Sequence, residues 1–210
     1  MPRILDISPL LSARTAVFPG DTAFSRHEAL HMGRGDPVTL SSITATVHLG
    51  SHADAPLHYD AEGRAIHEQP LDLYIGRCIV VRAQGEPGER VGIAHMAGRV
   101  PFGTERVLIA TGTHPDPDQW PGAFAALEPD LVRWLDTRGV RLVGVDTPSV
   151  DPADSKDLPA HAAFRERDMA ILEGLVLAGV PEGAYELIAL PLRIEGADAS
   201  PVRAVLRTLA

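Results

Sequence analysis

His48-Leu49-Gly50-Ser51-His52-Ala53-Asp54-Ala55-Pro56-Leu57-His58 gathers three of the chain's nine histidines and an aspartate into one short stretch. Imidazole and carboxylate are the donor set of Zn²⁺ and similar divalent cations. A helix would put His48 and His52 on one face, but Gly50 and Pro56 oppose a helix and Asp54 would point away. In an extended chain 48, 52 and 54 lie on the same side, because side chains alternate with period 2. A straight strand would still hold the Cα atoms of His48 and His52 roughly 13 Å apart, at about 3.3 Å per residue. The chain must therefore bend, and Gly50 is the residue free to take the required backbone angles. This predicts a strand over Thr44–His48 and a bent loop over Leu49–His58, stiffened by Pro56. Spacing alone leaves open the alternative that these are hydrogen-bonded surface or core histidines.

The rest of the chain supports an α/β domain. Ile43, Ala45 and Val47 alternate with Ser42, Thr44 and Thr46, the pattern of a half-buried strand. Arg77–Arg82, Arg106–Ala110, Val140–Val145 and Tyr185–Leu190 are short apolar runs that read as buried strands. Val202–Leu209 alternates apolar and basic residues over part of its length, which suits an outer strand. Glu128–Arg138 carries Leu131, Trp134 and Leu135 at helical spacing, with Gly139 as the cap. His161–Leu172 reads as a second amphipathic helix, stopped at Gly174. No internal repeat and no linker divides the 210 residues, a length that fits one domain with a substantial core.

Composition narrows the partners. The formal charge of −9 repels phosphate backbones, so nucleic acid is not expected. No apolar run reaches the 18–20 or so residues that span a bilayer, and the first six residues lack the apolar stretch of a signal peptide. Cys78 is the single cysteine, which fits a reducing cytoplasm and inert packing in an apolar strand. His27, His31, His67 and His95 read as surface or structural residues. Thr111–Asp116 (TGTHPD) reads as a loop that could border a substrate, with no metal role for His114. Asp146 and Ser149 follow a strand, but the sequence gives them no role.

The stretch H-x-G-S-H-x-D-x-P-x-H resembles the signature of the cyclase-like metal-dependent hydrolases, and within them the bacterial kynurenine formamidases. The segments ISP…FPGD (7–21), DAPLHY (54–59), GVDTPSVD (144–151), KDLPAH…MAILEG (156–174), YELIALPL (185–192) and SPVRAVLR (200–207) extend the resemblance over nearly the whole chain. Residues 83–130 or so are the least distinctive. The resemblance implies a curved, mixed β core with a few flanking helices and a homodimer.

It also implies a site with two divalent ions per subunit, with Zn²⁺ expected. His48, His52 and Asp54 would hold the first ion, and Asp54, His161 and Glu173 the second. By themselves, His161 would read as a helix N-terminal residue and Glu173 as an exposed carboxylate. A carboxylate has two oxygens and can bridge ions roughly 3.5–4 Å apart. The implied reaction is hydrolysis of N-formyl-L-kynurenine to formate and L-kynurenine in tryptophan degradation. Metal-activated hydroxide would attack, with His58 as proton donor and acceptor. Phe18 stands where this family usually carries a substrate-contacting tryptophan; it offers a smaller face and no indole N–H. That departure supports one alternative, a sister hydrolase of another amide or lactone; a second, a non-catalytic metal or small-molecule binder, is opposed by His58, since a stored or structural metal needs no proton shuttle.

Overall fold

Alternation within the central strands assigns their side chains to two layers. The computed structural model describes residues 2–209; Met1 and Ala210 lie outside it. Its strands are β1 (Ile4–Asp6), β2 (Ser25–Leu30), β3 (Leu40–Thr44), β4 (His52–Asp54), β5 (Ile75–Arg82), β6 (Arg90–Val91), β7 (Arg106–Ala110), β8 (Ala126–Leu127), β9 (Leu142–Val145), β10 (Ala170–Glu173), β11 (Gly183–Ile188), β12 (Ala199–Pro201) and β13 (Val205–Thr208). Nine of them form one sheet in the order β1-β13-β11-β5-β7-β9-β10-β4-β12. The run β5-β7-β9-β10 is parallel and the flanking pairs are antiparallel. Val107, Ile109, Val143, Val145 and Ile171 face one core, while Leu108, Ala110, Leu142 and Leu172 face the other. Burial on both faces is why these strands read as continuous apolar runs.

The second of these cores shows that the sheet is curled. It joins Ala53 from one end of the strand order to Leu187 and Leu206 near the other end, with Tyr74 and Ile7 fully buried among them. The opposite, convex face carries α2 (Pro129–Asp136) and α3 (Pro159–Arg167); a short α1 (Ile93–Met96) lies nearby. α2 buries Leu131, Val132 and Leu135, one stripe of the helix. α3 begins at Pro159, whose fixed φ suits the first helical position, and buries Ala160, His161, Ala163 and Phe164. Among the described residues, no helix is long and apolar enough to cross a membrane.

Four local expectations need correction. The strand expected over 44–48 ends at Thr44 and is not half-buried: β3 is exposed throughout and pairs only with β2 in a separate ribbon. The loop expected over 49–58 contains β4, buried in the main sheet, followed by a 3₁₀ turn over Pro56–His58. The helix expected over 161–172 stops at Arg167, because Asp168 turns left-handed (φ 49°), and residues 170–173 become β10. β13 is not an outer strand, since β1 covers its free edge. By contrast, Gly139 does follow α2 in a left-handed conformation (φ 90°), and Cys78 is buried with its thiol pushed up to about 12 by burial.

Candidate metal centre and active site

Strand register builds the centre of the site. β10 pairs antiparallel with β4 so that Glu173 faces His52 and Ile171 faces Asp54. Directly opposed residues share a face, so His52, Asp54 and Glu173 all project to the side where Ile171 packs, under the helices. Ala53 and Leu172, one step out of phase, enter the other core. α3 then lays His161 over the same face. The His52 Nε2 lies 3.2 Å from Glu173 Oε2 and 3.6 Å from Asp54 Oδ1. On the far side of the carboxylate, His161 Nε2 lies 3.5 Å from Asp54 Oδ2 and 3.8 Å from Glu173 Oε1. His48 arrives from the irregular segment after β3, with Nδ1 3.2 Å from Asp54 Oδ1.

Each imidazole is held from behind. The His52 Nδ1–H donates to the Gly50 carbonyl at 2.9 Å, which leaves Nε2 as the free donor atom. The His161 Nδ1–H donates to Asp151 Oδ2 at 2.9 Å, and the same carboxylate accepts the Ala160 and His161 amides at the start of α3. Asp151 therefore satisfies helix N-terminal donors and fixes the imidazole in one contact. Asp198 Oδ2 sits 2.9 Å from His48 Nε2 and 3.3 Å from His58 Nδ1. The Val150 amide donates to Glu173 Oε1 at 2.8 Å. Gly50 and Gly174 make this packing possible. Both are left-handed (φ 56° and 65°), and a Cβ on Gly174 would lie 2.2 Å from the Gly50 carbonyl oxygen.

The electrostatics call for a cation. Asp54 is 1% exposed, yet neither of its carboxylate oxygens has a hydrogen-bond partner; His161 Nε2 is likewise buried and unpartnered. The neighbouring imidazole nitrogens are close but not in bonding geometry. Leaving a buried carboxylate uncompensated costs several kcal/mol or more. Burial favours the neutral acid, but His161 and His48 outweigh it and hold Asp54 well below the usual carboxylate range. Burial also opposes charge on His48 and His161, yet the surrounding carboxylates raise them to about 9 and about 10. His52 shifts upward too, with Glu173 and Asp54 overcoming burial. Protons on the imidazoles thus balance the carboxylates where no other cation does so. A divalent ion would do the same at the converging donors, so the residues fit one. The donor atoms of His52, Asp54 and Glu173 lie within 4.8 Å of one another, as do those of His48, Asp54 and His58.

All six expected polar residues meet here, and Glu173 is buried instead of exposed. Phe18 lies on the wall of the same cavity, about 620 Å³ in volume, above His48, His52, His58, His161 and Glu173. His114 and Ser149 also line it, so the TGTHPD segment does border the cavity. Asp146 acts structurally, accepting the Thr111 and Gly112 amides and the Thr111 hydroxyl. His31, His67 and His95 each accept a backbone amide, from Gly33, Gly196 and Gly92. Asp151, Asp198 and Trp120 had no signal at short range in the sequence.

Residues 5–152 match the Cyclase family, described as “Putative cyclase”. The chain belongs to that family. It is 50% identical over 208 residues to a kynurenine formamidase of Delftia acidovorans, covering 99% of each chain. It is 49% identical to one of Paracidovorax citrulli, covering 99% of this chain and 98% of that one. Among solved structures, a potential metal-dependent hydrolase with cyclase activity superposes with a TM-score of 0.84 at 26% identity over the full length of both chains. Isatin hydrolase A from Labrenzia aggregata shares the fold, with a TM-score of 0.83 at 23% identity over 100% of this chain and 94% of that one.

Proposed function

We propose that this chain is a metal-dependent amide hydrolase that cleaves N-formyl-L-kynurenine to formate and L-kynurenine. The observation that carries the reading is the buried, doubly unpartnered Asp54 carboxylate, with imidazoles on both sides of it, beneath the His48, His52, His161 and Glu173 that line an aromatic-walled cavity. Half-identity to two kynurenine formamidases over nearly the whole chain supports the substrate.

His48, His52 and Asp54 would hold one ion, and Asp54, His161 and Glu173 a second, Asp54 presenting one oxygen to each side. The imidazole-rich donor set fits Zn²⁺, and the lack of thiolates suits a catalytic site over a structural one. A divalent ion held by these residues would supply Lewis acidity toward the formyl carbonyl and would lower the pKa of water to near neutral. His58 takes up a proton as the water oxygen bonds to the formyl carbon. It returns that proton to the aryl amine nitrogen as the C–N bond breaks. Asp198, 3.3 Å from Nδ1, orients the ring for both transfers. The apolar wall around Phe18 receives the aryl group.

Two further attributes belong to this reading. A homodimer is supported by the β2–β3 ribbon, where Met32, Val38, Leu40 and Ile43 are exposed and no residue from 22 to 44 is buried. A lone two-stranded ribbon is marginal in water, and a second copy would cover it. Sedimentation should give about twice the 22.4 kDa of one chain. The lone buried Cys78 supports a cytoplasmic location.

The test is ion content together with formate release from N-formyl-L-kynurenine, before and after chelation. About two ions per chain and chelator-sensitive turnover are expected. Full turnover without any ion overturns the reading. Ions without turnover on this substrate favour a sister hydrolase acting on another amide or lactone, for which Phe18 is the supporting observation. Retained ion with no turnover on any aryl formamide would make the chain a binder.

A further inference from the structure

The loop from Thr111 to Trp120 is built more firmly than its sequence suggests. Its base is tied down where Asp146 accepts two amides and a hydroxyl, and Thr113 Oγ1 accepts the Ala125 amide at 2.9 Å. Its tip is held by Asp116, which accepts the Asp118 amide at 3.0 Å and the Gln119 side-chain amide at 2.8 Å. The His114 Nε2–H donates to the Gln119 carbonyl at 3.2 Å, directly before Trp120. A second set of contacts ties this loop to the segment that carries Phe18. The Ala16 amide donates to the Pro117 carbonyl at 3.0 Å, and Arg14 pairs with Asp118 at 3.0 Å.

These ties bring Trp120 and Phe18 together on the cavity wall, ring centroids 5.4 Å apart and planes at 80°. Two perpendicular rings leave a corner in which a third ring can lie flat against one face and turn its edge to the face of the other. Of the two, Trp120 has the larger face and is half-buried on the braced loop, whereas Phe18 is 52% exposed. We propose that Trp120 is the specificity-determining residue for the substrate's aromatic ring, with Phe18 as its edge partner. The inference rests on the aryl-formamide reading above. It moves the main aromatic contact from position 18 to the opposite loop.

The experiment uses the ion-loaded enzyme and its Trp120→Ala, Trp120→Phe and Phe18→Ala variants. Trp120→Ala should raise KM for N-formyl-L-kynurenine roughly tenfold or more, with kcat within about threefold, since lost binding shared by ground and transition states appears in KM. Trp120→Phe should fall between, and Phe18→Ala should cost less than Trp120→Ala. Inhibition by L-kynurenine should weaken in parallel with KM, while inhibition by formate, which has no ring, stays unchanged. A general disturbance of the fold would move both inhibitors and the ion content together, and that outcome overturns the proposal. So does an unchanged KM in Trp120→Ala, or a larger loss in Phe18→Ala. Wild-type turnover reports separately on the function: if the wild-type enzyme cleaves no N-formyl aryl amide, the function fails and the role of Trp120 fails with it.

Discussion

Replacing Gly174 by alanine tests how closely the site depends on its backbone supports. Gly174 follows Glu173 with φ 65°, a conformation that costs a residue bearing a Cβ about 1–2 kcal/mol. The new Cβ would also stand 2.2 Å from the Gly50 carbonyl oxygen, where ordinary contact begins near 3.4 Å, so the two segments must part by about 1.2 Å. Overpacking of this kind adds about 1–3 kcal/mol. The displaced carbonyl is the acceptor for the His52 Nδ1–H, so the imidazole loses the contact that presents Nε2 to the site. Loss of such an outer contact typically lowers ion affinity by about 10- to 100-fold. Gly179→Ala is the control, because Gly179 is also left-handed (φ 76°) but has nothing within 4 Å of a Cβ. Chemical denaturation should show a loss of about 2–5 kcal/mol for Gly174→Ala against about 1–2 for Gly179→Ala. Calorimetric titration with Zn²⁺ should find weakened binding only in the former. Equal, mild destabilisation with unchanged affinity in both variants would refute the reasoning.

His58→Ala should keep its ions and lose turnover by about 10²–10⁴-fold, whereas Asp54→Ala should lose both ions and activity. Ion analysis beside a formate assay separates the two, and equal ion loss would make His58 a ligand, a role its proximity to His48 and Asp54 also allows. His48 and His161, at about 9 and about 10, are protonated at pH 7 when no ion is bound, so ion uptake should release about two protons or more. Titration calorimetry in buffers of different ionisation enthalpy measures this count; no release would contradict the electrostatics. The same raised values make the ion-free protein's extra stability fullest below about pH 6.5, and that stability is lost as pH rises through about 9. Thermal unfolding with chelator against pH should show this decline, and a gain in stability over the same range would contradict it. In the acid direction, protons compete with the ions for the imidazoles, so activity should collapse below about pH 6; unchanged activity at pH 5 would count against imidazole ligands.

The chemistry of the site is legible in the residue types themselves. Three histidines and an aspartate within eleven residues specify a cation-binding donor set, and a glycine among them marks where the backbone must bend. The short apolar runs at 77–82, 106–110 and 140–145 likewise specify buried strands, because a strand covered on both faces is apolar at successive positions and not only at alternate ones. β4 escapes that rule. Its polar His52 and Asp54 face the covered side of the sheet, so the hydrophobic pattern that reveals other strands is inverted where the site is built. β10 is hidden for a related reason: helical spacing and strand pairing compete over a few residues, and the left-handed turn at Asp168 decides between them. Only the tertiary structure determines which distant groups join the cluster. Pairing of β10 with β4 delivers Glu173, packing of α3 delivers His161 with its Asp151 support, and pairing of β12 with β4 delivers Asp198. Residue identity sets what a side chain can donate or accept, while convergence from more than 100 residues away depends on strand register and helix packing, interactions between segments that local sequence does not encode.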